Sequence, residues 1–183
     1  MNARSTTLRG RSRKSAQSLV EVTVASVVLV LLMFVPFVDL ITYSLRYNFL
    51  SMASRDAAYF ASRSKTFLNN VSSTDLSAVN EATAAAQLTA AAFPVTVNSV
   101  VTNIVITKLS TGQVTRQSTP LNAPADTTDY AYQIEVVLSG STNPILQVPA
   151  AGLWSDGIPG LTAAVSVSIA SRAFFENPQG LNQ

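Results

Sequence analysis

Seventeen consecutive residues, Val22 to Val38, carry no formal charge and are nearly all apolar. The exceptions, Thr23 and Ser26, can return their hydroxyl bonds to helix carbonyls. A helix from Ser18 to Leu40 has 23 residues and covers about 34 Å, enough to cross a hydrocarbon core of about 30 Å. A small domain could hardly surround Val27 to Phe34 on every face, which weighs against a core helix. A cleaved secretion signal is disfavoured as well, because the stretch from Val35 to Leu40 has no small-x-small site. Pro36 is expected to bend the crossing near its end, since it lacks an amide hydrogen and collides with the preceding turn.

Charge sets the expected orientation. Arg4, Arg9, Arg11, Arg13 and Lys14 place five of the twelve basic residues ahead of the apolar run. By the positive-inside rule they hold the N-terminus in the cytoplasm and send residues 41–183 outside, as a single-pass membrane protein. From residue 17 onward there are seven basic and ten acidic side chains, a balance of −3, so no nucleic-acid partner is expected.

The chain has no cysteine and no histidine. Thiolate metal sites, disulfides, the commonest general base and the Ser-His-Asp and Cys-His nucleophile systems are therefore unavailable. No glycine-rich phosphate loop occurs, and Asp126, Asp129 and Asp156 lack the spacing of a calcium loop. Neither catalysis nor a cofactor or metal is expected.

Glu21 stands at the mouth of the apolar run. It could lie among headgroups, but a carboxylate near hydrocarbon also suggests a cation contributed by another chain. Cleavage after Ala16 would start the mature chain at Gln17 and make Glu21 its fifth residue. Residues one and five lie on nearby faces of one helix, so a displaced neighbouring subunit could set its amine beside this carboxylate.

The stretch Ala16-Gln17-Ser18-Leu19-Val20-Glu21-Val22 resembles the processing motif of type IV pilin-like proteins, specifically the TadE/TadG-like minor pseudopilins of tight-adherence pilus systems. Asp39 and the block Ala53-Ser54-Arg55-Asp56-Ala57-Ala58-Tyr59-Phe60-Ala61 extend the resemblance over about residues 11 to 63. Ala16 stands where that family prefers glycine, Val22 where an aromatic is common, Ala57 in place of glycine and Tyr59 in place of a basic residue. The resemblance implies cleavage between Ala16 and Gln17 by a prepilin-type leader peptidase. It also implies subunit packing through Glu21 and a helix block built on Asp39, Ala53, Arg55, Asp56, Ala57 and Ala61.

Residues 41–68 are expected to extend the anchor as one amphipathic helix without proline or glycine. Ile41, Leu45, Phe49 and Met52 form an apolar line, expected mainly to pack on the protein's own sheet. Ala53, Ala57 and Ala61 form a second line that permits close helix approach. Arg55 pairs in spacing with Tyr59, and Asp56 with Phe60. A second helix is expected from Asp75 to about Ala92, capped by Ser73 or Thr74. Pro94 ends it.

Strands are expected at Val95 and Val97, at Asn103 to Leu109, at Gln113 to Gln117 after a Thr111-Gly112 turn, at Tyr130 to Leu138, and at Leu161 to Ser171. Phe174 and Phe175 are expected to close the core. Trp154, in a loop, reads either as a loop anchor or as a partner contact. Asn70-Val71-Ser72 satisfies a glycosylation pattern that arises readily by chance.

The expected fold class is α+β and type IV pilin-like. A basic leader (1–16) leads into a transmembrane segment (17–40) and a helix extension (41–68), then an outer α+β domain with a small antiparallel sheet (69–183). The resemblance implies a minor pseudopilin that initiates or tips a tight-adherence pilus or related secretion filament at the cell surface. Its implied partners are other pilins or pseudopilins, the leader peptidase, the assembly platform and the lipid bilayer. The alternative is a permanently anchored envelope protein that binds an extracytoplasmic partner and never polymerises.

Overall fold

The computed structural model describes residues 8–93, 95–143 and 163–183. The fold is α+β: a long N-terminal helix, a second helix and a four-stranded antiparallel sheet.

Helix α1 spans Leu8–Ser62 and continues through Pro36. Proline removes one amide donor there, but the apolar turns on both sides keep their own ladder. The helix stops at Ser62, short of the expected residue 68. Its last turn tightens as the Arg63 and Ser64 amides donate to the Phe60 and Ala61 carbonyls at 3.2 and 3.3 Å. Residues 63–68 are needed elsewhere: the Thr66 and Phe67 carbonyls accept from the Ala78 and Val79 amides, and Phe67 is fully buried.

Helix α2 is Ala78–Ala91, and Ser77 caps it, accepting from the Asn80 amide. The expected cap at Ser73 or Thr74 is corrected by the loop chemistry before it. The Ser72 hydroxyl accepts from the Thr74 and Asp75 amides, closing a local turn that delays the helix start by three residues, from Asp75 to Ala78. Asn70 reinforces the later start, its Oδ1 accepting from the Ser77 amide at 2.8 Å and from Asn80 Nδ2 at 2.9 Å. The buried face of α2 is a run of alanines, Ala78, Ala82, Ala85, Ala86 and Ala90, while Leu88 is exposed.

The sheet has the order β2-β1-β3-β4. Strand β1 (Thr96–Lys108) is longer than either expected piece, because a bulge at Asn98 joins the two registers. Gly112, with φ of 69°, supplies the left-handed residue of the turn into β2 (Val114–Gln117). Strand β3 (Tyr130–Thr142) runs four residues past its expected end at Leu138. Gly140 makes this possible: a Cβ there would lie 2.8 Å from the Thr96 carbonyl oxygen and 2.9 Å from Leu50. Strand β4 is Val165–Phe174.

One face of the sheet carries the core. Ile104, Tyr132, Ile134, Val136, Leu138, Val167 and Ile169 are buried there, with α1 packed on β3 and β4 and α2 on β1. Phe175 is in this core, whereas Phe174 points off the other face and is 68% exposed. Consecutive strand residues alternate faces, so only one of the two phenylalanines could enter.

The C-terminal residues complete the unit. A 3-10 helix, Pro178–Asn182, buries Leu181. The carbonyls of Gly180 and Gln183 accept from the Phe67 amide, and Gln183 also accepts from Leu68.

Candidate anchor and packing faces

Two faces of α1 decide what the molecule can do, and they differ from the sequence expectation. The face that meets the sheet and α2 is mostly the small-residue one: Leu50, Ala53, Ser54, Ala57 and Ala61 are fully buried and Ala58 and Ser62 nearly so. Small side chains let the helix backbone approach closely. The Ser54 hydroxyl reaches the Val136 and Ile169 carbonyls at 3.3 and 3.4 Å, choosing between them for its single proton.

The expected line Ile41, Leu45, Phe49 and Met52 is not the packing face. Ile41, Leu45 and Met52 are about half exposed or more. Phe49 alone finds a partner, stacked on Phe93 with ring centroids 4.0 Å apart. The physical reason is distance: a helix seated on a sheet through alanines leaves no room for the longer chains beneath it.

The charged residues of the helix block serve the fold. Asp56 accepts from the Thr89 hydroxyl at 3.1 Å, tying α1 to α2, and Arg55 is exposed. The expected Arg55–Tyr59 pairing gives way to Arg63, which donates to the Tyr59 hydroxyl at 3.0 Å and lies over its ring. Asp39 is buried, 3% exposed, although the apolar residues before it are not.

The N-terminal half of α1 is the reverse of a protein core. From Val20 to Phe37 the described side chains are exposed, including Leu29, Leu32, Met33 and Phe34. This helix is long and apolar enough to cross a membrane. Glu21 is exposed at its start, and among the described residues no cation pairs with it. The backbones of Ala16 and Gln17 lie within α1; their side chains are outside the described residues, as is Trp154.

One feature of the sheet went unread in the sequence. Glu135 lies on the face away from α1 yet is buried, between two arginines of other strands. Arg172 of β4 reaches it through Nη2 at 2.6 Å and Nε at 2.7 Å, and Arg116 of β2 through Nε at 3.0 Å. The register could have suggested the first contact, since Glu135 stands directly opposite Arg172. Arg116 arrives diagonally, from beside Val105 across β1.

Among the described residues no group of three or more metal-ligating side chains comes together. Comparison with known proteins finds no matching family model, no matching curated protein and no matching solved structure.

Proposed function

We propose that the chain is a membrane-anchored minor pseudopilin, a structural subunit that contributes to the start or tip of a tight-adherence pilus or a related secretion filament. Residues 17–40 cross the bilayer with the basic leader in the cytoplasm and residues 41–183 outside. The leader peptidase removes residues 1–16. Glu21 then meets the new amine of a neighbouring subunit inside the membrane, where a lone carboxylate would be costly and a paired one is tolerated.

The observation that carries this reading is the helix from Val20 to Phe37, whose described side chains are uncovered by the other described residues, with Glu21 as the single charge in it. A side chain set so near an otherwise uncharged span asks for a partner, and the described part of the chain supplies none. The alanine line of α1 is consumed inside the C-terminal unit, so subunit contacts fall to the anchor and to the exposed Ile41, Leu45 and Met52 side.

The experiment is an intact-mass measurement of the membrane-resident protein, together with a Glu21→Gln variant. Loss of residues 1–16, with filament incorporation abolished by Glu21→Gln, supports the pseudopilin. An intact leader with wild-type behaviour of Glu21→Gln indicates a permanently anchored envelope protein instead.

A further inference from the structure

Helix α1 is continuous from the apolar run into the outer unit, so height above the bilayer can be counted in residues. Glu21 and Asp39 bracket the uncharged run. At 1.5 Å per residue they stand about 27 Å apart, close to the thickness of a hydrocarbon core. Headgroups add about 5–7 Å on each side. Beyond Asp39, Tyr43 stands about 6 Å higher, Arg46 about 10 Å and Tyr47 about 12 Å. In a helix the Cα–Cβ bonds tilt toward the N-terminus, here toward the bilayer, and long side chains reach back over the preceding turn. That lean lowers the three polar heads into the headgroup layer.

The three side chains form one group. Arg46 follows Tyr43 by three residues and Tyr47 follows it by four, the spacing of neighbours on a helix face. Tyr43 is half-buried against the core, whereas Tyr47 is 44% exposed. Tyrosine beside the end of an apolar run is typical of a membrane interface. Arg46 is half-buried and donates from Nη1 to the Asn143 carbonyl. Asn143 lies just past the end of β3, which descends along α1: its Val136 carbonyl meets Ser54 and its Gly140 meets Leu50. The bond therefore holds the guanidinium at the bilayer-facing end of the sheet. A carbonyl brings no counter-charge, and Arg46 takes part in none of the four ion pairs among the described residues.

We propose that Arg46, with the Tyr43 and Tyr47 hydroxyls, binds the phosphate of a phospholipid in the leaflet that faces the outer unit, and so sets the height at which that unit stands. A guanidinium matches phosphate with paired N–H donors and stays charged. Its stem lies along the apolar helix while the charged end reaches the interface. Height selects the occupant. A soluble anion has no use for an apolar run and tyrosines beneath its site, and a polypeptide would have to displace the headgroups that fill this layer. The inference rests on the membrane crossing proposed above and is independent of filament assembly and of leader cleavage.

The test reads the depth of nitroxide labels on the full-length chain in phosphatidylglycerol liposomes, each label on a single introduced cysteine, since the chain has none. Accessibility to oxygen against a water-soluble nickel chelate gives the depth. Phe37→Cys checks the crossing, and Ser44→Cys, exposed on α1, checks the site. With Arg46 intact the Ser44 label should lie in the headgroup layer. Arg46→Gln, checked for retained fold by circular dichroism, should move it by at least about 2 Å, more than the rise of one residue. Arg46→Lys, which keeps the charge, should not. Liposomes of a galactosyl diacylglycerol, which has no phosphate, should produce the same shift with Arg46 intact, and added inorganic phosphate should not reverse it. A Phe37 label outside the hydrocarbon would overturn the crossing and the inference together. With Phe37 in the hydrocarbon, three results would overturn the inference alone: a Ser44 label in bulk water, a depth unchanged by Arg46→Gln, or equal depth in the two lipids. Reversal by inorganic phosphate would also overturn it, by making the occupant a soluble anion.

Discussion

Gly180 passes so close to Lys65 that a methyl group on its α-carbon would lie 1.6 Å from the Lys65 carbonyl oxygen. The two backbones belong to the C-terminal turn and to the segment just after α1, and the Phe67 amide seals them by donating to the Gly180 carbonyl. Gly180→Ala therefore has to push the C-terminal turn away and uncover Leu181. A loss of about 2–3 kcal/mol is expected, in the range of overpacked cores. Thermal unfolding in detergent, followed by circular dichroism, should show a clearly lowered midpoint.

The two faces of α1 should respond in opposite ways to size. Ala57→Leu inserts a large side chain where the helix touches the sheet and should destabilise by more than about 2 kcal/mol. Met52→Ala, on the exposed side, should change stability by less than about 0.5 kcal/mol. Chemical denaturation of the two variants against wild type checks this, and a larger effect at Met52 would restore the face expected from the sequence.

Glu135 holds two strands besides its own, so its loss should exceed the loss of either arginine. Glu135→Ala is expected to lower stability by about 1–3 kcal/mol, because both guanidiniums lose their counter-charge. Arg116→Ala should cost under about 1 kcal/mol, since its pair is longer and more exposed. Arg172→Ala falls between them. Equal effects for all three would mean that Glu135 is held by the sheet alone.

The long apolar helix was legible because its signal is compositional: an uncharged apolar run reads the same whatever it touches. The sheet was legible from alternation at Tyr130 to Leu138 and from Thr111-Gly112. The packing face of α1 was not, since periodicity ranks Ile41, Leu45 and Met52 above Ala53 and Ala57, while close approach to a sheet rewards small residues. The cap at Ser77 was hidden by the hydroxyl-rich stretch before it, where Ser72 closes its own turn. Glu135 looked like any outward residue of a half-buried strand; its burial depends on Arg116 and Arg172, which come from strands 19 and 37 residues away. The C-terminal turn gave no periodic signal, and its place is set by the carbonyl of Lys65 and the amides of Phe67 and Leu68.

The lack of any cysteine makes the central claim directly measurable. Ser110, exposed in the turn before β2, can be replaced as Ser110→Cys and treated with a membrane-impermeant maleimide on intact cells, or on spheroplasts where an outer membrane intervenes. The anchored, N-inside arrangement predicts labelling without lysis, on a protein that stays with the membrane fraction. Labelling only after permeabilisation, or recovery of the full-length chain in the soluble fraction without detergent, would contradict it.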